Sequence, residues 1–407
     1  MPGGPVRGRT LRTRIASFGG LSLLASASPL IVLPFVARSV PPQTWATLLT
    51  CQALGQLLGL VLLSGWGIDG QAQVASSKDS ARRKALYATS LTQRAKLALV
   101  VLPVAASAGV LVARGELPYT HAAMAAAGAW SGFGLGWYAI GCGQAGWIAR
   151  YETIPRLGAS VLAAAAVATF AAVWVYPVSV IVLTSLGVLL FNRAHAGALW
   201  PRTSDRMGMA GSSNVVAGLL SLVGAAYSGA PLPVSQAVQV SNAPGLASAD
   251  RLYRYALFAV TSLANALQQW VLAREGAALA RSRRVAVLMH AALGLVGGLA
   301  FTLFAEPLGA FIFGAAVAPD TSVAAGYGAA FFFVSTATPL TRNFLVPQGR
   351  TPVVLLLAST SAVIGVAFMV VGGKVWGAAG LAWALAVADG FFLLGALVAM
   401  RSSRSVQ

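Results

Sequence analysis

Predominantly apolar stretches of about twenty residues recur along this chain, and they restrict its fold more than anything else in it. Residues 157–175 form one of them, without a single charged side chain. A spanning helix needs about 20 apolar residues, because the hydrocarbon layer is about 30 Å thick and each residue rises about 1.5 Å. Twelve such stretches run roughly over 15–37, 45–67, 97–113, 121–141, 157–175, 178–198, 213–230, 252–272, 285–304, 322–344, 353–371 and 377–399. Runs such as 157–175 are apolar throughout rather than alternating, which rules out a transmembrane β-barrel. The composition agrees, with 57% hydrophobic and 9% charged residues against about 45–50% and about 25% for soluble domains. A water-soluble enzyme, a disordered chain, a nucleic-acid-binding domain and a disulfide-stapled secreted module are excluded. The expected fold class is an all-α polytopic membrane protein in two six-helix lobes around a central cavity.

The net charge of +18 would suggest nucleic acid if the basic residues formed a patch, but they follow the loops instead. With both termini placed in the cytoplasm, 22 of the 28 Lys and Arg residues fall on the inner side, among them Arg94, Arg150 and Arg156. The outer loops carry Arg38, Arg114 and Lys374, while Arg251, Arg254 and Arg342 fall at helix ends or inside helices. This bias orients the chain in a plasma membrane with both termini cytoplasmic. The expected organisation is a basic tail over 1–14, a lobe over 15–198, a polar linker over 199–212, a second lobe over 213–400 and a tail over 401–407. Ala25-Ser26-Ala27 resembles a signal cleavage region, but the apolar run continues through Val36, too long for such a signal, so the first helix is expected to stay.

Several motifs are set aside on context. Gly141-Cys142-Gly143-Gln144-Ala145-Gly146 spells G-x-G-x-x-G but ends a membrane helix, where a dinucleotide site needs a strand before it. No phosphate-binding P-loop is present. Cys51 and Cys142 read as buried apolar thiols, and His121, His195 and His290 stand alone, so no metal or other cofactor is expected. Gly55–Gly59, Gly132–Gly136 and Gly294–Gly298 have the small-xxx-small spacing that lets helices approach closely.

Polar residues inside the stretches carry the functional signal, because a charge at the bilayer centre costs about 2.5–3.5 kcal/mol on insertion scales. Asp389 lies in the middle of the last stretch, as a packing carboxylate or as a proton or cation site. Arg342 either snorkels or touches substrate. Ala249-Asp250-Arg251-Leu252-Tyr253-Arg254-Tyr255 opens the eighth helix with Arg251 and Arg254 on one side. Two accounts stay open for them: an anionic ligand, or an Asp250–Arg254 ion pair. Asn265, Gln268 and Gln269 follow on that helix, and Gln52 and Gln56 share a face of the second; both sets are interhelical glue or cavity lining.

Ala37-Arg38-Ser39-Val40-Pro41-Pro42-Gln43-Thr44-Trp45-Ala46 closes the first helix, and Gly65-Trp66-Gly67-Ile68 follows the second. With Ala249-Asp250-Arg251-Leu252, Glu306-Pro307-Leu308-Gly309-Ala310-Phe311-Ile312-Phe313-Gly314, Gln348-Gly349-Arg350 and Gly377-Ala378-Ala379-Gly380-Leu381-Ala382, these segments resemble the polysaccharide-transport (Wzx-like) flippases of the multidrug/oligosaccharidyl-lipid/polysaccharide exporter superfamily. Ser39, Ala46 and Pro231-Leu232-Pro233 depart from that pattern. The resemblance implies a flippase that carries a polyprenyl-pyrophosphate-linked saccharide to the outer leaflet, among membrane lipids and beside a polysaccharide polymerase and glycosyltransferases, with no bond made or broken. On that reading Arg38, Arg251 and Arg254 meet the anionic group, Gln52, Gln56, Asn265 and Gln268 face sugar hydroxyls, and Asp389 is the candidate for a coupling ion, H+ or Na+. The alternatives are an ion-coupled exporter of small molecules, a flippase for peptidoglycan precursors, and a membrane scaffold. The multidrug branch usually keeps an acidic residue in helix 1 or 7, and none occurs in Ile15–Ala37 or Ser213–Ala230.

Overall fold

The architecture is that of a computed structural model, which describes residues 28–63, 65–200 and 222–402. The basic tail, the start of the first helix, most of the 199–212 linker, the start of the seventh helix and the last residues lie outside the described residues. The helices of the first half are α1 (Pro29–Ser39), α2 (Pro42–Leu63), α3 (Ser80–Ala113), α4 (Pro118–Trp130), α5 (Gly136–Gly141), α6 (Ala145–Phe170) and α7 (Val175–Ala196). Those of the second half are α8 (Pro231–Ala237), α9 (Ala243–Leu272), α10 (Gly276–Phe313), α11 (Thr321–Leu345) and α12 (Thr351–Ser402). Among the described residues, seven helices are long and apolar enough to cross a membrane. One of these, α12, is two spans joined without a loop: Gly377 turns the chain at φ 62°, a conformation that side-chain-bearing residues avoid.

Local chemistry sets the helix ends. The Asp79 carboxylate accepts from the amides of Ala81 and Arg82, capping α3, so this helix begins seventeen residues before the apolar stretch at 97. Prolines begin α2, α4 and α8, where a missing amide hydrogen costs nothing. The sequence expectation of one helix over 121–141 is corrected: the chain unwinds between Trp130 and Gly136, where glycines at 132, 134 and 136 weaken the helix. The eighth helix is corrected too. It starts at Ala243, not near Ala249, so Arg251 lies eight residues inside, about 12 Å from the end. Gly141–Gly146 joins two helices, with no strand beside it.

Packing follows membrane rules. Bilayer tails are as apolar as leucine, so helices associate through close contact rather than through water exclusion. Gly55 and Gly128 let α2 and α4 touch backbone to backbone; a Cβ on Gly128 would lie 2.7 Å from the Gln52 carbonyl oxygen. Outward-facing Leu99, Leu111, Phe170 and Phe311 are about four-fifths exposed, which suits lipid and not water. Helices of each half pack mainly on one another, α2 with α3 and α4, α6 with α7, and α10 with α11, which packs on α12. Between the halves, α9 meets α2 and α1 meets α10.

Candidate functional site

A cavity of about 420 Å3 lies among α1, α2, α4, α6, α7 and α9, a volume in the range of small-molecule sites. One end is floored by a chain of side chains from three helices. Arg251 Nη2 of α9 donates to Gln52 Oε1 of α2 at 2.6 Å, and Gln52 Nε2 donates to the Tyr176 hydroxyl of α7 at 3.4 Å. From this floor the cavity runs past Gln56, Trp130, Glu152, Arg156, Thr184 and Thr261, toward the end of the bundle that carries Lys84, Arg150, Arg193, Arg274 and Arg350.

Three guanidinium groups line it, those of Arg156, Arg251 and Arg254. Arg254 Nε and Nη2 are held by the two carboxylate oxygens of Asp250, at 2.6 and 3.3 Å, and Nη2 reaches the Ser228 carbonyl at 3.3 Å. The Asp250–Arg254 ion pair, one of the two accounts left open by the sequence, is present, and the paired guanidinium also faces the cavity. This is the one ion pair among the described residues. Arg251 is 6% exposed, and its Nε has no hydrogen-bond partner among the described residues.

Glu152 is the carboxylate in the wall. It accepts from the amides of Leu135 and Gly136, the first groups after the break in α4. Arg94, fully buried, donates Nη1 to the carbonyls of Gly132 and Gly134, both at 3.0 Å. An anion on α6 and a cation on α3 thus satisfy the backbone that the break leaves unpaired, as membrane depth requires. Arg94 and Arg156 are corrections to the loop count of basic residues: both sit in helices, and Arg156 faces the cavity. Sequence reasoning missed Glu152 and Arg156 because their charges end the hydropathy signal of the fifth stretch. The signal that exposes them is the Glu152–Arg156 i,i+4 spacing directly before an uncharged run.

The structure gathers only part of the expected site. Gln52, Gln56, Arg251 and Arg254 line the cavity. Arg38 does not: exposed at the end of α1, it donates Nη2 to the Phe311 carbonyl at 2.6 Å and Nη1 to Pro34 at 3.3 Å. Asn265 is exposed and accepts from Arg342 Nη1 at 2.8 Å, and Gln268 is half-buried outside the cavity lining. The reason is depth along the helix rather than rotation: Asn265 stays on the face of Arg251, Arg254, Phe258 and Thr261, but it and Gln268 lie one to two turns beyond Thr261, where the α9 lining of the cavity ends. Asp389 is buried in the second lobe beside Tyr227, away from the cavity, with Oδ2 unpartnered among the described residues.

No protein-family model matches the chain, and no curated protein sequence matches it. Solved structures do. A multidrug resistance MATE family transporter of the MOP superfamily, in an inward-facing conformation, shares 14% identity over 98% of this chain and 96% of that one, with a TM-score of 0.63. The Vibrio cholerae MATE transporter VcmN, in a mutant form, shares 18% identity over 97% and 94%, at a TM-score of 0.53. A MOP-superfamily transporter from Pyrococcus furiosus, for which reverse polarity of the binding pocket is taken to suggest a different function, shares 15% over 97% and 94%, at 0.58. The chain thus has the MATE-like fold of MOP-superfamily transporters and is a multi-pass membrane protein. These neighbours are transporters, not enzymes.

Proposed function

We propose that this chain is an alternating-access exporter whose central cavity accepts an anionic amphiphile, with a phosphate-bearing lipid-linked saccharide as the favoured cargo. The observation that carries this reading is the cationic wall: Arg156, Arg251 and Arg254 face the cavity, and only Arg254 is paired with a carboxylate. Guanidinium groups suit phosphate because their planar fork donates two parallel hydrogen bonds. Gln52, Gln56 and Thr184 add neutral polar groups of the kind that meet hydroxyls. The basic end is read as cytoplasmic by the positive-inside bias, so the cavity faces the cytoplasm, where charged precursors are made. No bond is made or broken, so no cofactor enters, and Asp389 is the carboxylate we assign to the coupling ion. In this reading the plasma membrane houses the chain beside glycosyltransferases and a polysaccharide polymerase.

The second reading, an ion-coupled exporter of small molecules, is favoured by the fold comparison, since similar solved structures are described as multidrug resistance transporters. Equilibrium binding to the purified protein separates the two. The first expects a prenyl-pyrophosphate saccharide to quench Trp130 fluorescence saturably and inorganic pyrophosphate to compete. Binding of ethidium instead, unaffected by pyrophosphate, overturns it.

A further inference from the structure

Hydrogen bonds that join the two lobes cluster toward the end opposite the basic loops. Arg38 Nη2 donates to the Phe311 carbonyl at 2.6 Å, Arg114 Nη2 to the Gln236 carbonyl at 2.9 Å, and Trp45 Nε1 to Ser248 Oγ at 3.1 Å. The two arginine contacts share one logic. Each starts at the C-terminal end of a first-lobe helix and reaches a last-turn carbonyl of a second-lobe helix, α10 or α8. Such carbonyls lack a donor within their own helix and carry the negative end of its dipole, so a guanidinium holds them well. These contacts latch that end shut and never touch the cavity.

The Arg251–Gln52 bond is different. It is the deepest of the series, it joins the lobes, and both its residues line the cavity. Gln52 is a neutral acceptor, and Arg251 has a buried, unpartnered Nε. An ionised oxygen adds a charge–charge attraction to the guanidinium that the neutral Gln52 amide oxygen lacks, and an anion with two oxygens can accept two parallel bonds from the planar fork. An anion at Arg251 therefore outcompetes the Gln52 carbonyl and also satisfies the idle Nε.

We propose that the Arg251–Gln52 bond is the cargo sensor of the closed end: an anion that takes Arg251 releases Gln52, removes the innermost link between the lobes and shifts the population toward opening at the latched end. The proposal rests on reading the cavity as an anion site. It supplies the differential contact that any ligand-driven shift requires, since a ligand with equal affinity for both states moves nothing.

The test places spin labels at Tyr119→Cys in the first lobe and Ala316→Cys in the second, both exposed at the latched end, with Cys51 and Cys142 replaced by Ala. Distances are read by pulsed electron resonance in the full chain, and radiolabelled farnesyl pyrophosphate binding is measured on the same samples, with farnesol as the neutral control. Farnesyl pyrophosphate is expected to add a longer-distance population and farnesol none. Gln52→Leu is expected to raise the open-to-closed ratio without ligand by roughly tenfold, the value of one charge-assisted bond. Gln52→Glu, which exchanges the bond for an ion pair, is expected to stay closed with farnesyl pyrophosphate present, a result that misfolding of the Leu variant cannot mimic. Binding without a change in distance, or a Gln52→Leu variant as closed as wild type, overturns the sensor and leaves the anion site standing. Absence of binding in wild type overturns the anion site and the sensor together.

Discussion

Removing the Arg254 guanidinium separates its two partners, Asp250 and the cavity. Its Nε and Nη2 are spent on Asp250 and Ser228, leaving Nη1 for a ligand. One hydrogen bond to a charged group contributes about 1.5–3 kcal/mol, so Arg254→Ala is expected to weaken binding of a prenyl-pyrophosphate saccharide roughly 10- to 150-fold. Arg254→Lys keeps the charge and loses the fork, and is expected to fall between. Asp250→Ala frees Arg254 while removing a nearby negative charge, so its effect is expected to be smaller than that of Arg254→Ala. The double variant is expected to bind as weakly as Arg254→Ala, because the cargo still lacks its donor. The assay is equilibrium binding to purified protein across the four-member cycle, with monodispersity as the folding control. Recovery of wild-type affinity in the double variant refutes the reasoning: Arg254 would then serve only to neutralise Asp250.

Other expectations follow from the same geometry. Arg94→Met leaves the carbonyls of Gly132 and Gly134 without a donor and is expected to cost about 2–6 kcal/mol, read as a lower thermal unfolding midpoint in detergent. An unchanged midpoint removes Arg94 from the brace of the α4 break. Gly128→Val drives a side chain into the Gln52 carbonyl and the Gln56 amide; it is expected to abolish monodisperse protein or ligand binding, and a well-folded variant with wild-type affinity contradicts that packing. Arg38→Ala is expected to leave anion affinity within about twofold of wild type, as for a surface change away from the site, while raising thiol access at the latched end; a large loss of affinity restores Arg38 to the site. Asp389→Asn is expected to keep anion binding and lose the dependence of transport on an ion gradient, and transport that stays gradient-dependent removes Asp389 as the coupling carboxylate.

The spans were legible because lipid imposes one period and one length on every helix that crosses it, and residues 157–175 or 353–371 satisfy both without ambiguity. What hydropathy could not show was where charge continues a helix. α3 and α6 start well before their apolar stretches, in segments whose charges lower the average, and Arg94, Glu152 and Arg156 were hidden there. The eighth helix was read as the apolar stretch 252–272, and it falls short of the other spans in hydropathy because Asn265, Gln268 and Gln269 interrupt its uncharged part. Gln52, Gln56, Arg251 and Arg254 were recognisable as polar groups that membrane insertion penalises. Arg38 entered the site through the resemblance alone, and it meets a carbonyl across the lobes, a contact between residues 273 positions apart. Asn265 and Gln268 continue the face of Arg251 along α9, but they lie one to two turns past Thr261, where the cavity lining ends, and a helical pattern gives the face without giving how far along it a cavity reaches.

The central claim is an exporter for anionic amphiphiles, and reconstituted transport tests it most directly. Liposomes containing the purified chain are loaded with a fluorescent prenyl-pyrophosphate saccharide, and the label reaching the opposite leaflet is read by its loss to a membrane-impermeant quencher. Parallel vesicles carry ethidium. The account predicts protein-dependent movement of the lipid-linked saccharide that Arg251→Ala abolishes, with no protein-dependent movement of ethidium. Ethidium transport that survives Arg251→Ala, beside an immobile lipid-linked saccharide, contradicts it.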